Sequence, residues 1–488
     1  MLARKSSSSG QPVFFGRKVA IAVVLLLVPV TGFLLWAGMR EGPPPTVEVA
    51  ADLPAVGQAT TLTITAREPT RGLASLKVIA GGPALKTPVT LFEQTFEPAP
   101  AHKPWVKPAT TETTVTVVVG KRTMPELLPG ELVVRVVAGR AGTWLRQPAP
   151  TELEKTFEVR LQPPALAATS AFVHPAQGGA EALVYEVGAS SVKDGVEVGS
   201  WFFPGAPLPG GQPSQRVVLF AVPYDMAMTE ADAKGRVKLI AVDDVGNRAE
   251  QSFIHKFLPR PMGKDTIELK ESFMQKVIGE IYARTPELQR KGSLVEDYLQ
   301  LNGDLRRANN ATLKELAANS AHRFLWGETF LPMQNAAVKG SFADRRAYLA
   351  DGKQVDTQDH LGFDLASLER APVQAANAGK VVLARYFGIF GNAVVIDHGF
   401  GLQTLYAHLS TISVKEGEDV LRGAEVGRTG ATGLAGGDHL HFTTVLHGLP
   451  VNPIEWWDAH WIRDRLKLKL GDTLPWAEQT PVPPPGAP

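Results

Sequence analysis

The chain has 488 residues, which at roughly 150 per domain predicts about three domains and ample core. Its 50 Lys+Arg against 49 Asp+Glu leave a net charge of +1, without the basic footprint that general nucleic-acid binding needs. Cysteine is absent, which excludes disulfide staples, thiol catalysis and thiolate-held zinc, so any metal site must be built from His, Asp and Glu. The 46 Gly and 38 Pro together make about 17% of the chain, above the usual ~12%, and predict many turns and a mainly β architecture.

Val19 to Met39 carries no formal charge. At 1.5 Å per residue its 21 residues span roughly 31 Å, the thickness of a bilayer core. Arg4, Lys5, Arg17 and Lys18 precede it, while Arg40 and Glu41 nearly cancel after it. The positive-inside bias predicts a cytoplasmic stretch over 1–18, a transmembrane anchor over 19–39, and an extracytoplasmic remainder held at the inner membrane. A cleavage site is poorly formed, because Ala37-Gly38-Met39 ends in a bulky residue, so the anchor is expected to stay uncleaved.

Pro43-Pro44-Pro45 reads as a stiff linker. Residues 46–162 then read as short strands, with alternation in Thr60 to Thr65 and β-branched runs at Thr113 to Val119, Glu131 to Val137 and Thr156 to Leu161. Pro163-Pro164 marks a boundary. A second block, 165–258, has strands at Ala182 to Val187, Arg216 to Val222 and Val237 to Val242, then a turn at Asp243 to Asn247 and a last strand near Ser252 to Phe257. Both blocks resemble immunoglobulin-like β-sandwich modules, which implies spacers or surfaces for protein partners.

Residues 264–329 change period and predict a short helical connector. Leu269, Phe273, Val277 and Ile281 recur every four residues, and Thr285-Pro286 ends that helix. Ser293-x-x-Glu296 is a capping box opening a second helix, with Leu294, Tyr298, Leu301 and Leu305 on one side; Thr312-x-x-Glu315 predicts the start of a third. Residues 330–470 form the last domain, and 475–488 a Pro-rich tail.

Seven of the 11 histidines fall in the last 134 residues, so their spacing becomes informative. His360 and Asp364 are four apart, on one face of either a strand or a helix. In His439-Leu440-His441-Phe442 a strand would turn both imidazoles one way and both apolar side chains the other. In Leu405-Tyr406-Ala407-His408-Leu409 alternation puts Tyr406 and His408 on one face and Leu405, Ala407 and Leu409 on the opposite one. A Gly-rich loop, Gly430 to Gly437, leads into His439. With no thiolate available, these segments together predict a metal site.

The segments His360-Leu-Gly-Phe-Asp364, Gly391 to Gly399, Leu405-Tyr-Ala-His408-Leu, Gly430-Ala-Thr-Gly433, His439-Leu-His441-Phe442 and Gly448 to Pro453 resemble, in order and spacing, the lysostaphin/LytM-type zinc endopeptidases. The resemblance covers about a quarter of the chain and implies an antiparallel duplicated-hybrid-motif fold that cuts peptide cross-links of peptidoglycan. It further implies one zinc ion held by His360, Asp364 and His441, with His408 and His439 in catalysis. Three protein ligands would leave an open position for water, whose pKa zinc lowers toward ~7. Two positions depart from the pattern: Asp438 stands where Pro is common, and Thr443 where Glu is common. Asp438, if close, would raise the pKa of His439. His398 is expected to order its loop, and Trp456-Trp457 to close the fold or, if exposed, to touch glycan. Asn335 or a neighbour is a candidate to occlude the open metal position. The alternative function is a catalytically silent scaffold that binds peptidoglycan or activates another hydrolase. A lipoyl-like carrier, suggested by Val414 to Gly427, lacks the Lys it would need between Gly417 and Leu421.

Overall fold

The computed structural model describes residues 14–41, 43–97, 100, 103 and 105–477; the predicted cytoplasmic stretch over 1–13 and the end of the Pro-rich tail lie outside them. The fold is mainly β, and the described chain divides into two compact units, Met1–Gln162 with Asp244–Asn247, and Pro163–Asp243 with Arg248–Pro488.

The first unit opens with the helix Phe14–Met39. Within it, Val19–Met39 has a mean hydropathy of 2.6, so it is long and apolar enough to cross a membrane. The β part consists of two antiparallel sheets. One pairs Thr46–Ala51, Thr60–Arg67 and Glu112–Val119; the other pairs Val89–Thr95, Leu73–Gly81, Gly130–Arg140 and Thr151–Val159. The alternation read in the sequence decides which side faces in: Leu62, Ile64 and Ala66 are fully buried while Thr63 is exposed. Leu62 and Ile64 from the first sheet and Leu76, Val78, Val134 and Val136 from the second belong to one buried cluster, so the two sheets share a core.

The second unit begins with two more four-stranded antiparallel sheets, one containing Ala180–Val187 and Gln215–Ala221, the other Ser191–Val198 and Val237–Asp243. The last strand differs from the expectation over 252–257. It is Arg248–Gln251, and Phe253, Ile254 and Phe257 are buried in irregular chain. There the backbone bonds sideways to another irregular stretch, with His255 N donating to Val173 O and Leu258 N to Pro175 O, so apolar burial proceeds without a ladder.

The helices fall largely where the periodicity puts them. Glu271–Arg284 buries Met274, Val277, Ile278 and Ile281, and its C-cap is Thr285. Ser293 caps Leu294–Gln300 with the reciprocal Ser293–Glu296 box. The expected third start at Thr312 is not one: the helix runs on through a π-turn, Leu301–Leu305, into Arg306–Ala318. Thr312 lies inside it and donates its hydroxyl back to Ala308 O at 3.2 Å, the option a mid-helix Thr takes when no free N–H is in reach.

An eight-stranded antiparallel sheet follows. Its path runs Ala337–Gly340, Phe363–Ala366, Leu440–Leu446, Leu402–Leu409, Asn392–Gly399, Gly379–Tyr386 and Asp419–Val420, with Leu449–Val451 on the side. Both faces are buried. Phe363, Leu365, Tyr406, Leu440 and Phe442 join one cluster, which also holds Trp326, Phe330 and Trp456. Leu405, Ala407, Val395 and Leu383 join another, whose other half is Met274, Val277, Ile278, Ile281, Tyr298 and Leu301 from the helices. The helical segment is thus packed as a wall on the sheet. Lys264–Glu268, just before it, pairs in parallel with Asp344–Ala350, a crossover connection that encloses the helices.

Candidate active site

Four of the five predicted site residues lie in strands, and His439 directly precedes one. Phe363–Ala366 and Leu440–Leu446 pair so that Asp364 lies directly opposite His441. Phe363 and Phe442, one residue over, point into the core, so the pleat turns Asp364 and His441 to the other face. His360 ends the strand Lys353–His360, and Gly430 bridges to His439. Gly362 permits the close approach: a Cβ there would lie 2.7 Å from His441 Nε2 and 2.6 Å from Phe442 O.

His408 reaches the same place by a different route. Simple alternation would put it with Tyr406, on the face away from His441. Instead the ladder between Asn392–Gly399 and Leu402–Leu409 shifts register between Asn392 and Val394, and His408 has φ +63°. This bulge moves Leu409 to the Tyr406 cluster and brings His408 to the cavity shared with His439 and His441. The expectation that Tyr406 and His408 share a face is therefore corrected. A non-glycine residue held at positive φ stores strain, and here it accompanies the turn of His408 toward the cavity.

His360 Nε2, His441 Nδ1 and Asp364 Oδ1 form a triangle with edges of 3.0 Å. His360 Nδ1 lies 2.9 Å from Ser341 O, which can only accept, so the proton sits on Nδ1 and Nε2 carries a lone pair. His441 Nε2 lies 3.0 Å from Thr443 Oγ1; with that nitrogen donating, Nδ1 also turns a lone pair inward. Three electron-pair donors then converge on one point. This arrangement calls for a cation, and the edges are close to the ~3.3 Å expected of tetrahedral zinc ligands at about 2.0 Å. The three residues are the group among the described residues whose ligand atoms could share one metal ion.

Around this cluster the other two imidazoles are oriented alike. His408 Nδ1 donates to Thr432 O at 2.9 Å and His439 Nδ1 to Gly437 O at 2.8 Å, so both turn Nε2 toward the cluster. The rings stand 4.9 Å apart, centroid to centroid, and His439 Nε2 is 3.4 Å from Asp364 Oδ1. Burial, with the neighbouring imidazoles of His439 and His441, pushes the pKa of His408 well below its ordinary value. Burial also pulls on His439, but the Asp364 carboxylate outweighs it and the net shift is upward. The carboxylate that raises it is Asp364, whereas the Asp438 carboxylate accepts from Arg370 N at 3.2 Å. Burial lowers His441 to about 4. For Asp364 burial opposes ionisation, yet the three surrounding imidazoles hold its pKa far below the usual carboxylate range.

One contributor escaped the sequence reading. Arg346 Nη2 lies 2.8 Å from Asp364 Oδ2, holding the oxygen that faces away from the triangle. It belongs to none of the recognised motifs, and the available signal was only its place in the strand that pairs with the one ending in His360. Other expectations resolve plainly. His398 is fully buried between Ala378 O and Thr404 Oγ1. Trp456 is fully buried, so it cannot form an exposed glycan platform. Asn335 lines a different pocket, with Leu368 and Phe442, and does not reach the cluster.

Residues 358–453 match peptidase family M23. The DD-carboxypeptidase/endopeptidase Mpg of Neisseria meningitidis serogroup B is 45% identical over 96 residues, covering 20% of this chain and 22% of that protein. The peptidoglycan DD-endopeptidase ShyA of Vibrio cholerae is 30% identical over 186 residues, covering 37% and 40%. This chain therefore spans less than half the length of these relatives. Among solved structures, an M23 peptidase from Pseudomonas aeruginosa aligns over 58% of this chain and 96% of its own, at 20% identity and a TM-score of 0.35.

Proposed function

We propose that this chain, which carries a lysostaphin/LytM-type M23 peptidase domain, is a membrane-anchored zinc endopeptidase that hydrolyses the peptide cross-links of peptidoglycan. The observation that carries the reading is the 3.0 Å triangle of His360 Nε2, His441 Nδ1 and Asp364 Oδ1, whose inward lone pairs fit one zinc ion. When bound there, zinc polarises a carbonyl and lowers the pKa of water at its open position. The chain supplies the rest. His408 and His439 turn their Nε2 atoms toward the same cavity, so one takes a proton from the attacking water and the other stabilises the oxyanion and protonates the leaving amine. Arg346 and Thr443 fix the orientation of Asp364 and His441.

The silent-scaffold reading would gain from a missing site residue, but all five are assembled in one cavity. In our reading residues 19–39 anchor the chain in the inner membrane, with the bulk outside the cytoplasm. The β blocks 46–162 and 165–258 act as immunoglobulin-like spacers open to protein partners, and 264–329 and 330–470 make up the helical and peptidase parts. The test is digestion of isolated peptidoglycan by the zinc-loaded chain, with fragments read by mass spectrometry. Released peptides with newly opened cross-links support the proposal; an intact digest with zinc bound overturns it.

A further inference from the structure

The cavity around the ligand cluster is larger than the metal site requires. Its volume is about 400 Å³, and part of its wall comes from the segment before the peptidase strands, through Lys270, Phe273, Tyr298 and Arg306. That wall carries polar groups with hydrogen-bonding capacity left over. Arg306 donates to Asn302 O at 3.0 Å and to Asn302 Oδ1, and it forms no ion pair with any described residue. Lys270 is exposed; its carbonyl accepts from Met274 N at 3.0 Å, while its ammonium has no hydrogen bond or ion pair with a described residue. Tyr298 is 1% exposed and Tyr348 is 7% exposed, their rings stand 6.0 Å apart, and neither hydroxyl has a hydrogen-bond partner among the described residues. Both hydroxyls stay open to the cavity rather than sealed in the core, so a ligand entering it can take the place of solvent as their partner. The charge there is positive. Apart from Asp364, whose outer oxygen is already matched by Arg346, one carboxylate, Glu268, stands against Lys270 and Arg306.

We propose that this wall is a carboxylate subsite. Arg306 and Lys270, with hydrogen bonds from the Tyr298 and Tyr348 hydroxyls, hold a free carboxylate of an acidic peptide whose scissile bond lies at His360, Asp364 and His441. The proposal rests on the endopeptidase reading and refines it: the enzyme selects cross-linked peptides that keep an ionised carboxylate near the cut. The residues concerned lie outside the histidine motifs, in the helical segment and the strand paired with it.

The test uses the full-length, zinc-loaded chain in detergent and two cross-linked peptidoglycan fragments, identical except that the carboxylates near the cross-link are free in one and amidated in the other. Loss of a charge-assisted contact predicts that amidation raises KM about tenfold. Arg306→Gln and Lys270→Gln should each raise KM for the acidic fragment by about threefold to tenfold, with kcat changing less. The changes should be non-additive, so that amidation adds little in the Arg306→Gln background. Equal KM for both fragments in the wild type, or a loss confined to kcat in the variants, overturns the subsite. Arg306 also braces Asn302, so Lys270→Gln, at an exposed position whose ammonium bonds to no described residue, keeps the test decisive if Arg306→Gln misfolds. Calorimetric binding of both fragments to chelator-treated protein separates the two claims. Preference for the acidic fragment without hydrolysis under any condition removes the endopeptidase and keeps the subsite, whereas hydrolysis of both at one KM does the reverse.

Discussion

Ile281→Ala tests whether the helical segment is part of the peptidase core. Ile281 is fully buried, in a cluster that also contains Leu383, Ala393, Val395, Leu405 and Ala407 of the large sheet. The substitution removes three carbons, about 2.4 kcal/mol of transfer free energy, and leaves a cavity, for a total of about 3 kcal/mol. A connector tethered only by its ends would deliver none of this to the strands behind it. Hydrogen exchange read by mass spectrometry on peptides spanning 392–409 reports the strands directly and avoids assuming one transition for a chain of several parts. The most protected amides there should exchange about a hundredfold faster in Ile281→Ala. Ala283→Ser, on the exposed face of the same helix, should change them by less than about threefold. Unchanged exchange at 392–409 in Ile281→Ala, with faster exchange confined to 271–318, would refute the wall assignment.

Other outcomes follow from the site and its supports. His441→Ala should lose both bound zinc and turnover, whereas His439→Ala should keep zinc by elemental analysis and lose most turnover; metal loss in the second would exchange their roles. Gly362→Ala should weaken zinc binding by tenfold or more in a chelator competition, because the new methyl must displace His441 or the Phe442 carbonyl. Glu455 is fully enclosed and accepts from Ala180 N, and burial pushes its pKa up to about 7, Arg260 at 2.9 Å only partly opposing this. Its folded pKa lies above the unfolded one, so its stability contribution is full below about pH 4.5 and lost as pH rises through about 7. The melting temperature of Glu455→Gln relative to wild type should therefore be higher at pH 8 than at pH 5; a pH-independent difference would contradict the shift.

Much of the site was legible because strands impose a period of two. That period places Asp364 and His441 on the face away from Phe363 and Phe442. It failed at His408, where a bulge and a positive φ override alternation, and neither leaves a local signature in Tyr-Ala-His-Leu. Helix faces were readable at Met274, Val277, Ile278 and Ile281, since a 3.6 period with a capping box is a strong local signal. What those faces pack against was not, because the partner strands lie about a hundred residues later. Arg346 and Tyr348 were invisible for the same reason: their roles come from long-range pairing with the strand that ends in His360.

The most direct test of the central claim is metal reconstitution coupled to cleavage. The chain is stripped with chelator, titrated with zinc, and assayed on isolated peptidoglycan beside an Asp364→Ala control. The account predicts cross-link cleavage that rises to a plateau at one zinc per wild-type chain and is absent from Asp364→Ala at every zinc concentration. Cleavage that ignores zinc, or persists in Asp364→Ala, would contradict it.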